Sequence, residues 1–259
     1  EAIVIFDEKD LPPAIALKGK KYNFTEFLDP RRILCVGDFL VVSEKTNGDL
    51  LHILDIKSGK YFRSTGKNGF GPGEATYVAK LEQAFENTFG TWDSMLDRKD
   101  IPYNVISSIH QGEIMASPDK SKFIVAGRIR DYIDVLDKVS GRILSIRGPV
   151  DEIPEFEVDY SQGYPMAAVL SDRVSYFGSF AGENLIYALY IGKDYKIISD
   201  FNNLNRIFVF DYKGNIVNQY TLDYPLASFT VDEENGIIYG LTIDQNPNVV
   251  AFKIPEKAC

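Results

Sequence analysis

The chain has 259 residues, 45% of them hydrophobic and 25% charged, and carries a net charge of −9. That length can bury a core without disulfide or metal staples. The acidic balance argues against a nucleic-acid partner and against adhesion to an anionic membrane surface, and no run of 18 apolar residues is long enough for a helical membrane span.

In chain order, Ala2-Ile3-Val4-Ile5-Phe6 reads as an isolated strand. The start at Glu1 rather than Met leads to the expectation of a processed or trimmed N-terminus from which a targeting segment has been removed. Cys35 sits in the apolar run Ile33-Leu34-Cys35-Val36 and reads as a buried small hydrophobe, and Cys259 is the last residue, so the two cysteines outline no disulfide framework. Short alternating runs follow at 39–42, 51–54, 122–125, 207–210 and 237–241, separated by Gly, Asn, Asp and Pro, while the best helix candidate is only Ala79–Asn87. The abundance of Tyr (15) and Phe (17) agrees with strands.

One unit recurs: a strand, an Asp, a turn containing Gly, and a second strand. Its copies are Leu51–Tyr61, Ile133–Ile143 and Ile207–Ile216, with Gly59, Gly141 and Gly214 as turn residues. Asp55 and Asp137 are 82 residues apart, and Asp137 and Asp211 are 74 apart; each interval holds two units of 41 or 37 residues. Propeller blades repeat every ~40–50 residues. Two weaker units then fall near Ser94–Ser108 and Ala168–Phe180, and a last one at Phe229–Ile254 brings the number to six. Strand–turn–strand units at 117–123 and 231–239 read as inner hairpins, and the Asp–Gly units as outer ones. The expected fold is therefore an all-β, six-bladed β-propeller forming one domain over residues 1–259. Residues 2–6 are expected to pair with residues 249–254 of the last blade, closing the ring and removing an edge.

The stretch Gly66-Lys67-Asn68-Gly69-Phe70-Gly71-Pro72-Gly73-Glu74 resembles the glycine-rich loop of TolB-like six-bladed propellers found in Bacteroidetes. Residues 186–192, 209–215 and 229–235 resemble the same family, and the resemblance covers most of 33–254. It implies the propeller fold and an envelope location, periplasmic or outer-membrane associated, in many members by a lipid anchor. It implies no catalytic residues.

Candidate chemistry is sparse. The glycine-rich loop lacks the Gly-Lys-Ser/Thr ending of a phosphate-binding loop and reads as a tight crossing between blades. His52 and His110 are not at metal-ligand spacing, and no G-x-S-x-G elbow exists. The acidic clusters Asp97–Asp100, Asp151–Asp159 and Asp232–Glu234 match no EF-hand-like loop. No catalytic residue, metal ligand or cofactor is assigned. Long loops are expected at 150–165 and 193–205, on the face where propellers usually bind. The expected contacts on that face are Glu74, Arg128, Arg130, Tyr160 and Tyr195, since Arg and Tyr often anchor interfaces. The favoured function is a non-enzymatic binding or scaffold module of the bacterial envelope that recognises a protein or a glycan. The alternative is a propeller enzyme of lyase or lactonase type with a channel-bound metal.

Overall fold

The computed structural model describes residues 2–45, 48–67, 101–170, 173–194 and 204–255. The strands in chain order are β1 (Ala2–Ile5), β2 (Ile15–Leu17), β3 (Gly19–Lys21), β4 (Pro30–Val36), β5 (Phe39–Glu44), β6 (Asp49–Asp55), β7 (Lys60–Lys67), β8 (Gly112–Ala116), β9 (Lys122–Gly127) and β10 (Tyr132–Asp137). They continue as β11 (Ile143–Arg147), β12 (Phe156–Asp159), β13 (Met166–Val169), β14 (Arg173–Ala181), β15 (Leu185–Asp194), β16 (Arg206–Asp211), β17 (Ile216–Leu222), β18 (Leu226–Asp232), β19 (Ile237–Thr242) and β20 (Val249–Lys253). One α-helix, α1 (Tyr103–Ile109), precedes β8. Two compact units result: residues 1–15 with 87–221, and residues 16–86 with 222–259.

The three Asp–turn–Gly hairpins form as the repeat implies, at β6–β7, β10–β11 and β16–β17. Their turns are stapled locally. Asp55 Oδ1 accepts from Ser58 N at 2.6 Å, Asp137 Oδ1 from Ser140 N at 2.8 Å, and Asp211 Oδ1 from Asn215 N at 2.9 Å. Gly59, Gly141 and Gly214 take φ values of 64°, 66° and 92°, a region a side chain disfavours. The inner hairpins form too, as β8–β9 and β18–β19.

In the first unit, the order β1-β11-β10-β9-β8 makes one sheet, β14-β15-β16-β17 run consecutively in a second, and β12-β13 stand as a two-stranded third. Alternation sets the core. Ile124 and Ala126 of β9, Ile133 and Val135 of β10 and Ile146 of β11 share one face, and pack with Ile186, Ala188, Phe208 and Phe210. In the second unit, β18-β19-β20-β3 and β4-β5-β6-β7 each form a four-stranded sheet. Leu40, Val42, Leu54, Tyr239, Leu241 and Val249 fill the core there.

Three expectations are corrected. Residues 2–5 do not pair with residues 249–254; β1 runs parallel to β11, with Ala2 opposite Leu144 and Ile5 opposite Arg147. The physical reason is Phe6, whose ring drops into the first unit's core, 5.5 Å from Phe210 and 6.1 Å from Phe208. The last sheet does take its fourth strand from the N-terminal part of the chain, but from β3, where Val250 faces Lys21. A Cβ on Gly19 would lie 2.5 Å from Val250 Cγ2, so only glycine admits that approach, and Gly19 N is held by Asp223 Oδ1 at 2.8 Å. Second, the unit expected near 94–108 lies outside the described residues as far as residue 100, and beyond it the chain forms α1 rather than a strand, with Val105, Ile106 and Ile109 buried. Third, the loop expected at 150–165 is half hairpin: β12 pairs with β13, Phe156 opposite Val169 and Asp159 opposite Met166. The helix candidate Ala79–Asn87, the glycine-rich loop from Asn68 onward, the Asp97–Asp100 cluster and Cys259 lie outside the described residues. Cys35 is half-buried rather than buried, and loss of water around it pushes its thiol up to about 11.

Phe6 therefore carries the attachment of β1. Phe6→Ala is expected to lower the unfolding free energy by roughly 3–5 kcal/mol in urea titration, whereas Ile5→Ala, at a side chain 75% exposed, should change it by less than about 0.5 kcal/mol.

Candidate functional site

The turn that joins β9 to β10, residues 128–131, concentrates the charged chemistry of the first unit. It leaves β9 at Gly127, where a Cβ would stand 2.5 Å from both the Arg130 carbonyl oxygen and the Tyr132 ring. The tight reversal splits two nearby arginines. Arg128 is exposed: its backbone N–H donates to Gln111 O at 2.8 Å, its guanidinium lies 5.9 Å from the centre of the Phe177 ring, and it makes no ion pair among the described residues. Arg130 turns inward and keeps 3% exposure.

Inside, the Arg130 guanidinium donates through Nη2 to Asp151 Oδ1 at 2.5 Å and through Nη1 to His110 Nε2 at 2.7 Å. Arg147 reaches the other oxygen of Asp151 at 3.1 Å. Both guanidiniums lie over the Tyr132 ring, at 5.6 and 5.4 Å, and the Tyr132 hydroxyl donates to His110 O at 2.7 Å. Geometry fixes the tautomer of His110. Its Nδ1 lies 2.8 Å from Ile106 O and must carry the proton, which leaves Nε2 as the acceptor for Arg130. Burial, with Arg130 and Arg147 as neighbours, pushes His110 down to about 4.

Asp131 is fully buried next door. Its Oδ2 accepts from the Tyr190 hydroxyl at 3.1 Å. Its carbonyl accepts from Gly148 N at 2.8 Å. Gly148 has to be glycine, because a Cβ there would sit 2.1–2.3 Å from the carboxyl atoms of Asp131. Burial raises the carboxyl above its ordinary range. Tyr176, Tyr190 and Arg206 are cross-strand neighbours on β14, β15 and β16, and the Arg206 guanidinium covers Tyr190 at 5.5 Å and Phe208 at 5.0 Å.

These groups hold one another, and the bonds described are spent inside the protein. Of the five residues singled out in the sequence, Arg128 and Tyr160 are on the surface, Tyr160 with 65% exposure at the tip of the β12–β13 hairpin. Arg130 is internal and salt-bridged to Asp151, so it cannot make the surface contact expected of it. Glu74 and Tyr195 lie outside the described residues. Sequence reasoning missed His110, Asp131, Arg147, Asp151, Tyr176 and Tyr190. The available signal was the adjacent pair Arg130-Asp131 between two apolar strands, where a solvated turn has no need of both charges.

The second unit has a smaller polar group. His52, on β6, faces Val42, and its Nδ1 lies 2.9 Å from the Tyr61 hydroxyl. Its Nε2 stands 3.4 Å from Glu44 Oε2. The other oxygen of Glu44 accepts from Leu28 N at 2.6 Å and Asp29 N at 3.2 Å, which anchors the segment ahead of β4.

The buried charges set the stability of the first unit and its response to pH. Arg130→Ala leaves His110 Nε2 and one oxygen of Asp151 without their buried donor and is expected to cost roughly 3–5 kcal/mol of stability, read by urea unfolding. His110 is held below its unfolded value of 6.5, so its contribution is complete above pH 6.5 and is lost as pH falls toward about 4, where the unfolded chain binds a proton that the folded one refuses. The slope from this residue is at most about 1.4 kcal/mol per pH unit. Stability measured by chemical denaturation between those pH values should depend less on pH in His110→Gln.

No curated protein sequence matches the chain. Among solved structures, it is similar to a "Putative exported protein" of Bacteroides fragilis at 11% identity and a TM-score of 0.40, covering 98% of this chain and 100% of that one. It is also similar to the β-propeller domain of Cps50 (Swd1) of Myceliophteria thermophila, at 9% identity and a TM-score of 0.33 over 87% of this chain and 54% of that one. Hydrazine synthase of Kuenenia stuttgartiensis follows, at 13% identity and a TM-score of 0.30 over 87% and 46%. The chain thus spans about half the length of the latter two. The family model described as TolB-like 6-blade propeller-like matches residues 87–234, a span that holds the whole buried network from His110 to Arg206, and the chain belongs to that family.

Proposed function

We propose that this TolB-like propeller is an exported binding or scaffold module of the bacterial envelope, lipid-anchored in its mature form, that recognises a protein or a glycan through surface loops. The observation that carries the reading is the division of labour at residues 128–131. Arg130 and Asp131 fix the turn from within, and this holds Arg128 in solvent with its guanidinium over Phe177. A positioned Arg beside an aromatic ring, with an exposed Tyr160 on another loop of the same unit, is the side-chain chemistry that anchors protein and sugar surfaces. Family membership supports the compartment. Glu74 and Tyr195 stay part of the proposed surface, and residues 1–259 are proposed to unfold as one domain, which calorimetry tests as a single transition.

Arg128→Ala and Tyr160→Ser are expected to leave the melting temperature within about 2 °C of the parent chain, since exposed substitutions change little. Each should weaken binding by about tenfold on a glycan array, or against the envelope protein that crosslinks to a photoreactive residue at position 160. Unchanged binding in both variants would remove this surface from the reading. Recovery of the native gene product in the soluble cytoplasmic fraction would remove the compartment. One equivalent of tightly held metal in the purified protein would favour the propeller-enzyme alternative.

A further inference from the structure

The hairpin β12–β13 takes up no third strand among the described residues. Its inner face is accounted for. Phe156 and Ala167 pack on Ile101, Val105 and Ile106, the Asn104 amide donates to Pro165 O, and Ala167 N donates to Ser108 Oγ at 2.9 Å. Alternation puts a different set of residues outside. Asp159 faces Met166 and Glu157 faces Ala168, and Leu170 N bonds Glu155 O at 2.9 Å, which carries the ladder one step further. The outer face is thus a column of carboxylates, Glu155, Glu157 and Asp159, beside a column of apolar residues, Met166, Ala168 and Leu170. All three carboxylates are exposed, and Leu170 is 59% exposed. Val158, on the opposite face of β12, is 36% exposed, and among the described residues no strand pairs with the other edge of β12.

Charge decides what fits this edge. Between Gly148 and Asp172 the sequence contains no Lys or Arg. Asp151 is neutralised by Arg130 and Arg147, but Glu155, Glu157 and Asp159 form no ion pair among the described residues. Hydrogen bonds from Ser161 hold the Asp159 carboxyl below its usual range, so it stays charged.

We propose that β12 is a docking edge for a polypeptide segment carrying Lys or Arg at alternate positions, which adds beside it as an extra strand. The proposal rests on the reading of the chain as a binding module and names the partner chemistry at one flank. Residues on one face of a strand recur every ~6.6 Å, so three carboxylates at alternate positions meet three cations at the same spacing in a paired strand. Directly opposed unlike charges stabilise a pair of strands, and like charges oppose it. A second copy of this edge is therefore excluded as the occupant, because it would set carboxylate against carboxylate. Backbone hydrogen bonds supply affinity in such strand addition and the alternating side chains supply selectivity. Leu170, Tyr160 and Tyr164 give the added segment apolar surface on the same hairpin.

The test is fluorescence anisotropy at low ionic strength with three short labelled peptides: alternating lysine and threonine, the same composition arranged in two blocks, and alternating glutamate and threonine. The alternating lysine peptide is expected to bind most tightly. Glu155→Gln/Glu157→Gln/Asp159→Asn should weaken it by about tenfold, from three exposed pairs of modest strength. The control Glu8→Gln/Glu26→Gln/Glu234→Gln, at exposed carboxylates elsewhere, should leave it unchanged. Glu157→Lys, which keeps the strand, should lower affinity for the lysine peptide and raise it for the glutamate peptide. Equal binding of the block peptide, equal losses in both triple variants, or no binding at all would overturn the proposal. If any of these occurs while Arg128→Ala still weakens partner binding, the edge alone is lost and the binding-module reading stands.

Discussion

Taking a guanidinium out of water costs several kcal/mol unless its charge and its donors are met inside the protein. Arg130 meets its charge with Asp151 and places Nη2 on that carboxylate and Nη1 on His110. Asp151 has to stand at one place, which requires the chain to turn sharply after β11. The turn is held by Asp131, the residue next to Arg130, whose carbonyl accepts from Gly148 N at 2.8 Å. Two adjacent residues of opposite charge thus secure the same far segment, one by its side-chain ion pair and the other by capping the backbone. Gly127 and Gly148 are the steric conditions for this, since a Cβ at either position would collide with the network.

The same network reaches the surface. His110 caps the C-terminus of α1, and its ring is fixed at both nitrogens and its carbonyl by Tyr132. α1 in turn supports the β12–β13 hairpin through Val105, Ile106 and Ser108. Buried residues therefore set where Tyr160 and the carboxylates of β12 are displayed. Rigid support beneath an exposed loop lowers the ordering cost of binding, and it explains why the buried charges and the exposed hairpin belong to one functional argument.

The second unit uses the same physics at smaller scale. Glu44 lies on the inward face of β5 because alternation puts it there with Leu40 and Val42, and its burial is offset by the backbone donors of Leu28 and Asp29. His52 and Tyr61 extend the chain of polar contacts toward β7. In both units a carboxylate driven inward is met by donors of the protein, guanidinium and tyrosine groups in the first and backbone N–H groups in the second.

The hairpins at Asp55, Asp137 and Asp211 were legible in the sequence because their chemistry is local. The Asp side chain caps backbone N–H groups within four residues, and the glycine supplies a positive φ whatever surrounds it. Their spacing also carried the propeller repeat. Sequence could not say which of Arg128 and Arg130 faces solvent, because that depends on an acid 21 residues away and an imidazole 20 residues away, brought together by β10, β11 and α1. Nor could it assign the partner of residues 2–5. β1 is apolar enough to extend any open sheet, and the choice of β11 follows from a place for Phe6 beside Phe208 and Phe210, residues far along the chain that meet it only when the sheets are stacked. Local turn chemistry and strand period were therefore determined by the sequence itself. The pairing of edges and the burial of charge were decided by the tertiary structure, because both depend on free energies that exist only once distant segments exclude water together.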